Sequence, residues 1–289
     1  MMKSDLAMTN GLHIQDVSFS YRRQSEVLKN LSFSVPRGRV VGILGANGAG
    51  KSTLFKLILG VLPLQSGEIK INGRSVKTLS NRERAKQMAY IPQTQRGTFQ
   101  FTVAEMVLMG TTASFSMFSQ PGKRERIKAA EAMKLLQIEQ FSDRLFDQLS
   151  GGEQQLVLIA RAVAQDAPIL IMDEPTASLD YGNQIRVLEE IRQLANRGYL
   201  VLISTHNPQH IFLYADDVLL IDGGTAIAFG KPQDVLSETL LSHVYRVPIQ
   251  LEKSVRTEMV TVLPHFEKMR NHDMTDRKTD CKHACERTL

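Results

Sequence analysis

The chain has 289 residues, 43% of them apolar, and a net charge of +5 at neutral pH. That supports one large folded domain or two smaller ones and argues against disorder over most of the length. The mild positive balance suits an acidic ligand or a membrane surface, but no arginine-rich stripe with interleaved aromatics points to nucleic acid. The longest apolar runs, at 169–172 and 199–203, are strand-sized and fall short of the roughly 20 residues a spanning helix needs. Residues 1–11 lack an apolar leader region. The expectation is a cytoplasmic protein that reaches a membrane through a partner. The cysteines, Cys281 and Cys285, lie together near the end of the chain, so no disulfide framework is expected.

Residues 13–21 alternate apolar and polar positions through Ile14, Val17, Phe19 and Tyr21, as a half-buried strand does. Residues 28–30 lead into a second strand at 31–35, and Pro36-Arg37-Gly38 makes the next turn. A buried strand over 40–44 then runs into Gly45-Ala46-Asn47-Gly48-Ala49-Gly50-Lys51-Ser52-Thr53. This fits G-x-x-x-x-G-K-[ST], and a helix follows through Leu54, Leu57, Ile58 and Leu59. Between a strand and a helix N-terminus, such glycines let the backbone curl round a phosphate with its N–H groups inward. Lys51 would reach the β- and γ-phosphates, and Ser52 would offer its hydroxyl to Mg²⁺. Tyr21, just upstream, can stack on a purine or pack locally against its own strand.

Further along, 67–72 reads as a strand ending in an Asn72-Gly73 turn, 80–87 as a short polar helix capped by Ser80, and 88–91 as a strand. Then the character changes. Helices are predicted at 102–109 and 123–136, with an irregular stretch of Ser, Thr, Phe and Met between them. They form a helical insert over about 94–148. Leu149-Ser150-Gly151-Gly152-Glu153-Gln154-Gln155 opens another helix, whose two glycines suit either anion contact or an ordinary start capped by Ser150. The apolar strand 168–172 ends in Asp173-Glu174-Pro175. At the carboxyl edge of an open sheet, Asp173 can hold Mg²⁺ and Glu174 can orient and deprotonate a water. A helix over 183–195, a strand over 199–204 ending in Thr205-His206, a hairpin of 218–221 with 226–229 and a final helix over 232–241 complete the α/β alternation. From 251 to 289 the chain is charged, and disorder or a loose helix is expected there. His265, His272, Cys281, His283 and Cys285 lie in that tail and raise the idea of a metal or redox site, although the cysteines lack the paired spacing of zinc motifs.

Taken in order, Tyr21, the loop at 45–53, Gln93, the run 149–155, Asp173-Glu174, Ser178-Leu179-Asp180 and His206 resemble the ATP-binding subunit of ABC transporters from Leu12 to Pro248. The resemblance implies a P-loop NTPase core of the α/β class, with a mixed, largely parallel sheet, a small antiparallel layer and the helical insert, all within residues 12–250. It also implies roles. Tyr21 stacks on adenine. Gly45, Asn47, Gly48, Ala49, Gly50, Lys51, Ser52 and Thr53 bind the phosphates of ATP. Ser52, Asp173 and Gln93 hold Mg²⁺ and the attacking water, Glu174 is the general base, and His206 contacts the γ-phosphate. Ser150, Gly151, Gly152 and Asp180 serve the ATP of a second copy in a head-to-tail dimer. The insert docks a permease, with Phe99, Phe101, Met106, Met109, Phe115, Met117 and Phe118 as soft apolar contacts. Insert and signature helix look most like importers of iron–siderophore complexes, haem or vitamin B12, which work with a substrate-binding protein. Thr111, Thr112 and Ala113 depart from the Arg and Pro-His that often follow the glycine matching Gly110 in that group. The competing readings are a soluble assembly ATPase, for example in iron–sulfur cluster building, and a nucleic-acid-associated ATPase. The second is weakened by the single module and the absence of an inserted coiled coil. The subunit itself is expected at the cytoplasmic face of the membrane.

Overall fold

The computed structural model describes residues 10–22, 25–93, 100–114 and 121–266. Its centre is a set of largely buried parallel strands. These are β3 (Val40–Leu44), β6 (Met88–Ile91), β7 (Ile169–Asp173), β8 (Leu200–Thr205) and β9 (Asp217–Asp222), in the order β9-β3-β8-β7-β6. All residues of β3, β7 and β8 are buried, which explains why they read as continuous apolar runs rather than alternating ones. Their alternate side chains enter separate cores. Leu170, Met172, Val201 and Ile203 face one, while Ile169, Ile171, Leu200 and Leu202 face the other.

On the second face lie helix α1 (Lys51–Ile58) and an antiparallel layer of β1 (Gly11–Ser20), β2 (Glu26–Pro36), β4 (Glu68–Ile71) and β5 (Arg74–Ser75). The lead-in 28–30 belongs to β2, which runs unbroken from Glu26 to Pro36. The layer joins the parallel strands through β10 (Thr225–Gly230), which pairs antiparallel with β9 and parallel with β2, so among the described residues both parts form one ten-stranded mixed sheet.

The first face carries the insert. Helices α3 (Val103–Leu108) and α4 (Lys123–Leu135) pack on α5 (Gly151–Ala164), which lies against the sheet beside α6 (Tyr181–Asn196). Helix α2 (Asn81–Gln87) begins at Ser80 with a reciprocal Ser80–Glu83 capping box, and α3 does the same with Thr102 and Glu105. The insert sits hard against α5: a Cβ on Gly110 would collide with the carbonyl oxygen of Arg161. Within the expected docking stretch, Met106 is buried, and Phe101 and Met109 pack on the core. The remaining positions, Phe99, Phe115, Met117 and Phe118, lie outside the described residues.

Four features differ from the sequence reading. Helix α6 starts at Tyr181, two residues earlier than expected, because the Asp180 side chain accepts from the Asn183 amide and caps it there. Helix α7 (Pro208–Tyr214) follows His206 directly, with Asn207 as its cap and Pro208 in its first turn. The final helix is two, α8 (Pro232–Val235) and α9 (Glu238–Tyr245), divided because Ser237 caps the second. After these, residues expected to be loose form a hairpin of β11 (Ile249–Lys253) and β12 (Val260–Pro264) that packs on α7 and α9 around Ile211, Leu241, Val244 and Ile249. His272, Cys281, His283 and Cys285 fall outside the described residues.

The Gly110 contact sets a stability test. Gly110→Ala forces backbone apart and is expected to cost about 1–3 kcal/mol, read as a lowered midpoint in chemical denaturation; an unchanged midpoint would refute the close approach.

Candidate functional site

Strand register brings the motif residues together. Leu44 lies opposite Thr205, Asp173 opposite Ser204, and Ile91 opposite Met172. The parallel strands therefore end at one edge, and the segments beginning at Gly45, Pro92, Glu174 and His206 leave the sheet side by side. This is the edge where open α/β sheets place ligands.

The loop from Gly45 curls into α1. Gly48 has φ +82° and Gly50 φ +105°, and a Cβ on Gly50 would sit 2.6 Å from Leu28 Cδ2. Only glycine meets both conditions there. Helix α1 begins without any side-chain cap bond, so its first-turn amides are left to a ligand, with the positive end of the helix dipole behind them. The Lys51 side chain folds back over the loop. Its Nζ donates to Gly45 O at 2.7 Å and Ala46 O at 3.1 Å, and the residue is only 6% exposed. Burial lowers the Lys51 pKa, opposed by the carboxylates of Glu174 and Asp173. Ser52 is exposed at the start of the helix.

Across the cleft, the Ser204 hydroxyl ties the acidic pair together. It donates to Asp173 Oδ1 and accepts from the Glu174 amide at 2.8 Å. Glu174 adopts φ +49°, a left-handed conformation that turns the chain sharply at the strand end. Its carboxylate accepts from Gln93 Nε2 at 3.0 Å and lies 3.5 Å from His206 Nδ1. Tyr90 has its phenol pKa raised, first by burial and then by the nearby Asp173 carboxylate. A cleft of about 390 Å³ is bounded by the loop from Asn47 to Thr53, Val27, Gln93, Glu174 and His206. Its walls offer backbone amides, an ammonium, the hydroxyls of Ser52 and Thr53 and the Glu174 carboxylate, while Asp173 is buried behind them on the Ser204 hydroxyl and does not itself line the cleft. That donor set fits a polyphosphate with a divalent cation held by a few protein oxygens and the phosphates themselves.

The other motif residues form a second patch, and none of them lines this cleft. Ser150 caps α5 in a capping box with Glu153, whose carboxyl its hydrogen bonds hold below the usual range. A Cβ on Gly152 would collide with the Asn183 side chain. Asn183 in turn donates from its backbone and side chain to the Asp180 carboxylate, at 2.9 and 2.7 Å, which keeps that pKa low. Tyr21 does not line the cleft either. Its ring meets Phe19 edge-on at 5.0 Å, and its hydroxyl is 3.3 Å from Thr53 Oγ1. Sequence reasoning passed over Ser204, Tyr90, Val27 and Asn183. Only Ser204, a hydroxyl at the end of an apolar strand, carried a readable signal.

Residues 28–177 match the ABC transporter family. The chain belongs to that family. An ABC transporter ATP-binding protein of Haemophilus influenzae is 41% identical over 240 residues, covering 83% of this chain and 91% of its own. A probable iron chelatin transport ATP-binding protein of Helicobacter pylori is 35% identical over 248 residues, covering 83% and 94%. An inward-facing metal-chelate type ABC transporter superposes with a TM-score of 0.80 at 28% identity, over 91% of this chain and all of that one. The chain is thus the ATP-binding, ATP-hydrolysing subunit of an ABC importer, and it works with membrane permease partners; the assembly reading falls away. No helix among the described residues is long and apolar enough to cross a membrane.

Within this ABC subunit, Ser204 is 0% exposed and holds the Asp173 carboxylate and the Glu174 backbone amide. Ser204→Ala is expected to lower stability by about 1–3 kcal/mol and to lower ATP turnover as well. Denaturation midpoints and a steady-state phosphate assay check this; a variant matching the parent in both would contradict it.

Proposed function

We propose that this subunit hydrolyses MgATP between two copies arranged head to tail, each supplying half of each site, and so powers uptake of an iron chelate or a related metal complex. The observation that carries the proposal is the convergence of Lys51, Ser52, Gln93, Asp173, Glu174 and His206 at one sheet edge, with the Ser150–Gly152 and Asp180 patch outside that cleft. Two separate half-sites on one chain suit a nucleotide clamped between two chains. The names of the Helicobacter relative and the metal-chelate neighbour support the cargo class.

In this reading, residues 12–250 are the ATPase domain and 94–148 the insert that docks the permease at the cytoplasmic face of the membrane, with a separate binding protein delivering cargo. The loop amides of 45–53 cradle the phosphates. Lys51 moves its Nζ from the Gly45 and Ala46 carbonyls to phosphate oxygens. Ser52, Gln93 and Asp173 are the residues that would hold Mg²⁺, which when bound neutralises the phosphate charge. Glu174 takes the proton of the water that attacks the γ-phosphorus, while Gln93 and His206 flank that carboxylate and meet the γ-phosphate side. Phosphoryl transfer asks for this kind of positioning and charge neutralisation rather than covalent chemistry. Tyr21 stacks on the adenine from its seat against Phe19. Loss of the γ-phosphate contacts after hydrolysis lets the pair reopen.

Glu174→Gln keeps the hydrogen bonds but not the base. It is expected to bind ATP, to turn over about 10²-fold or more slowly, and to dimerise in MgATP by light scattering; parental turnover would contradict the base assignment. Tyr21→Ala is expected to raise the KM for ATP several-fold with kcat held, in a steady-state titration. A large fall in kcat at saturating ATP would overturn the stacking role.

A further inference from the structure

His206 stands on a short exposed segment between a rigid strand and a short helix. Behind it, Thr205 is locked in register opposite Leu44. Ahead of it, Asn207 donates its amide to Thr205 Oγ1 at 3.0 Å and accepts from the Gln209 amide at 2.9 Å, which starts α7. The side chain of Gln209 points away from this turn, toward the C-terminal hairpin. Its Nε2 donates to Val260 O at 3.0 Å, and its Oε1 accepts from Val262 N at 2.8 Å. Both groups lie on the outward edge of β12, so one side-chain amide takes the place of a neighbouring strand. The hairpin is tied from its other strand to α9, through Ile249 N to Ser242 Oγ at 2.8 Å and Leu251 N to Glu238 Oε1 at 2.8 Å. A two-stranded hairpin is marginal alone, and this one is held by what it bridges.

We propose that Gln209 is a positioning residue for ATP hydrolysis: through its two bonds to β12 it uses the C-terminal hairpin as a fixed strut that sets α7, and thereby His206, against Glu174. The hairpin thus has a task in the reaction although it contributes nothing to the cleft. The chemistry of the clamp is specific to an amide of this length. A glutamate accepts from Val262 N but cannot donate to Val260 O, and an asparagine is one methylene short of spanning both. The inference rests on the proposed contact of His206 with the γ-phosphate side.

The test is steady-state ATPase kinetics on the full chain with MgATP. Gln209→Ala is expected to lower kcat three- to tenfold with the KM for ATP changed less than twofold, and Gln209→Glu to fall between parent and alanine. Val262→Pro removes the same bond from the hairpin side, at an outward edge N–H where proline is tolerated, and is expected to reproduce the kcat loss. In a His206→Ala background, Gln209→Ala should cause no further loss, because the residue acts through the histidine. Full additivity of the two substitutions would overturn the proposal and leave Gln209 a packing residue. So would parental kcat in Gln209→Ala when His206→Ala is impaired. If His206→Ala alone keeps parental turnover, the reading of His206 fails first and this inference with it.

Discussion

Everything functional in this chain depends on one geometric constraint, the common finishing line of the parallel strands. Because β3, β8, β7 and β6 are paired in a register that sets Leu44, Thr205, Asp173 and Ile91 at one edge, four sequence segments far apart in the chain leave the sheet next to one another. A one-residue slip of any strand would turn its core side chains to the opposite face. The two separately packed cores on either face forbid that. Positional accuracy at the cleft is therefore inherited from hydrophobic packing, and the loops need only short, local devices to finish the work.

Those devices trade stability for readiness. Lys51 is held as a buried ammonium on two carbonyls, and burial lowers its pKa below that of the unfolded chain. The folded state thus holds this proton less tightly, so the group costs stability at neutral pH, and the cost is relieved only as pH rises into the alkaline range. Glu174 sits in a left-handed conformation at a strand end, and α1 starts without a side-chain cap. Ser80, Thr102, Ser150, Asp180, Asn207 and Ser237 cap other helices with their side chains, while α4 and α8, like α1, start without such a bond. The open amides of α1 and the Lys51 ammonium stand where a polyphosphate would supply the missing interactions.

The loop at 45–53, the acidic pair at 173–174 and the buried strands that carry them were legible because each joins a buried apolar run to residue types with little other use at a strand end. The hydroxyl of Ser204 stands out at the end of an apolar strand, but its role exists only once β7 and β8 are in register. Helix α7 was missed because its seven residues carry only a short buried face, His210 and Ile211. The split of α8 from α9 rests on a single serine cap. The hairpin at 249–264 lay hidden in a charged stretch, because its partners are α7, α9 and a glutamine side chain far earlier in the chain. The loop at 45–53 and the run 149–155 were each readable as motifs; that they stand apart on one chain is a property of the fold.

The central claim is that the phosphate loop of one copy meets the Ser150–Gly152 helix start of another. Disulfide trapping tests it most directly, with Asn47→Cys and Ser150→Cys introduced together on a Glu174→Gln chain whose Cys281 and Cys285 are serine. Oxidation in MgATP is predicted to yield a covalent dimer, lost when ATP is omitted. Monomer alone under both conditions, or a cross-link within one chain, would contradict the shared site.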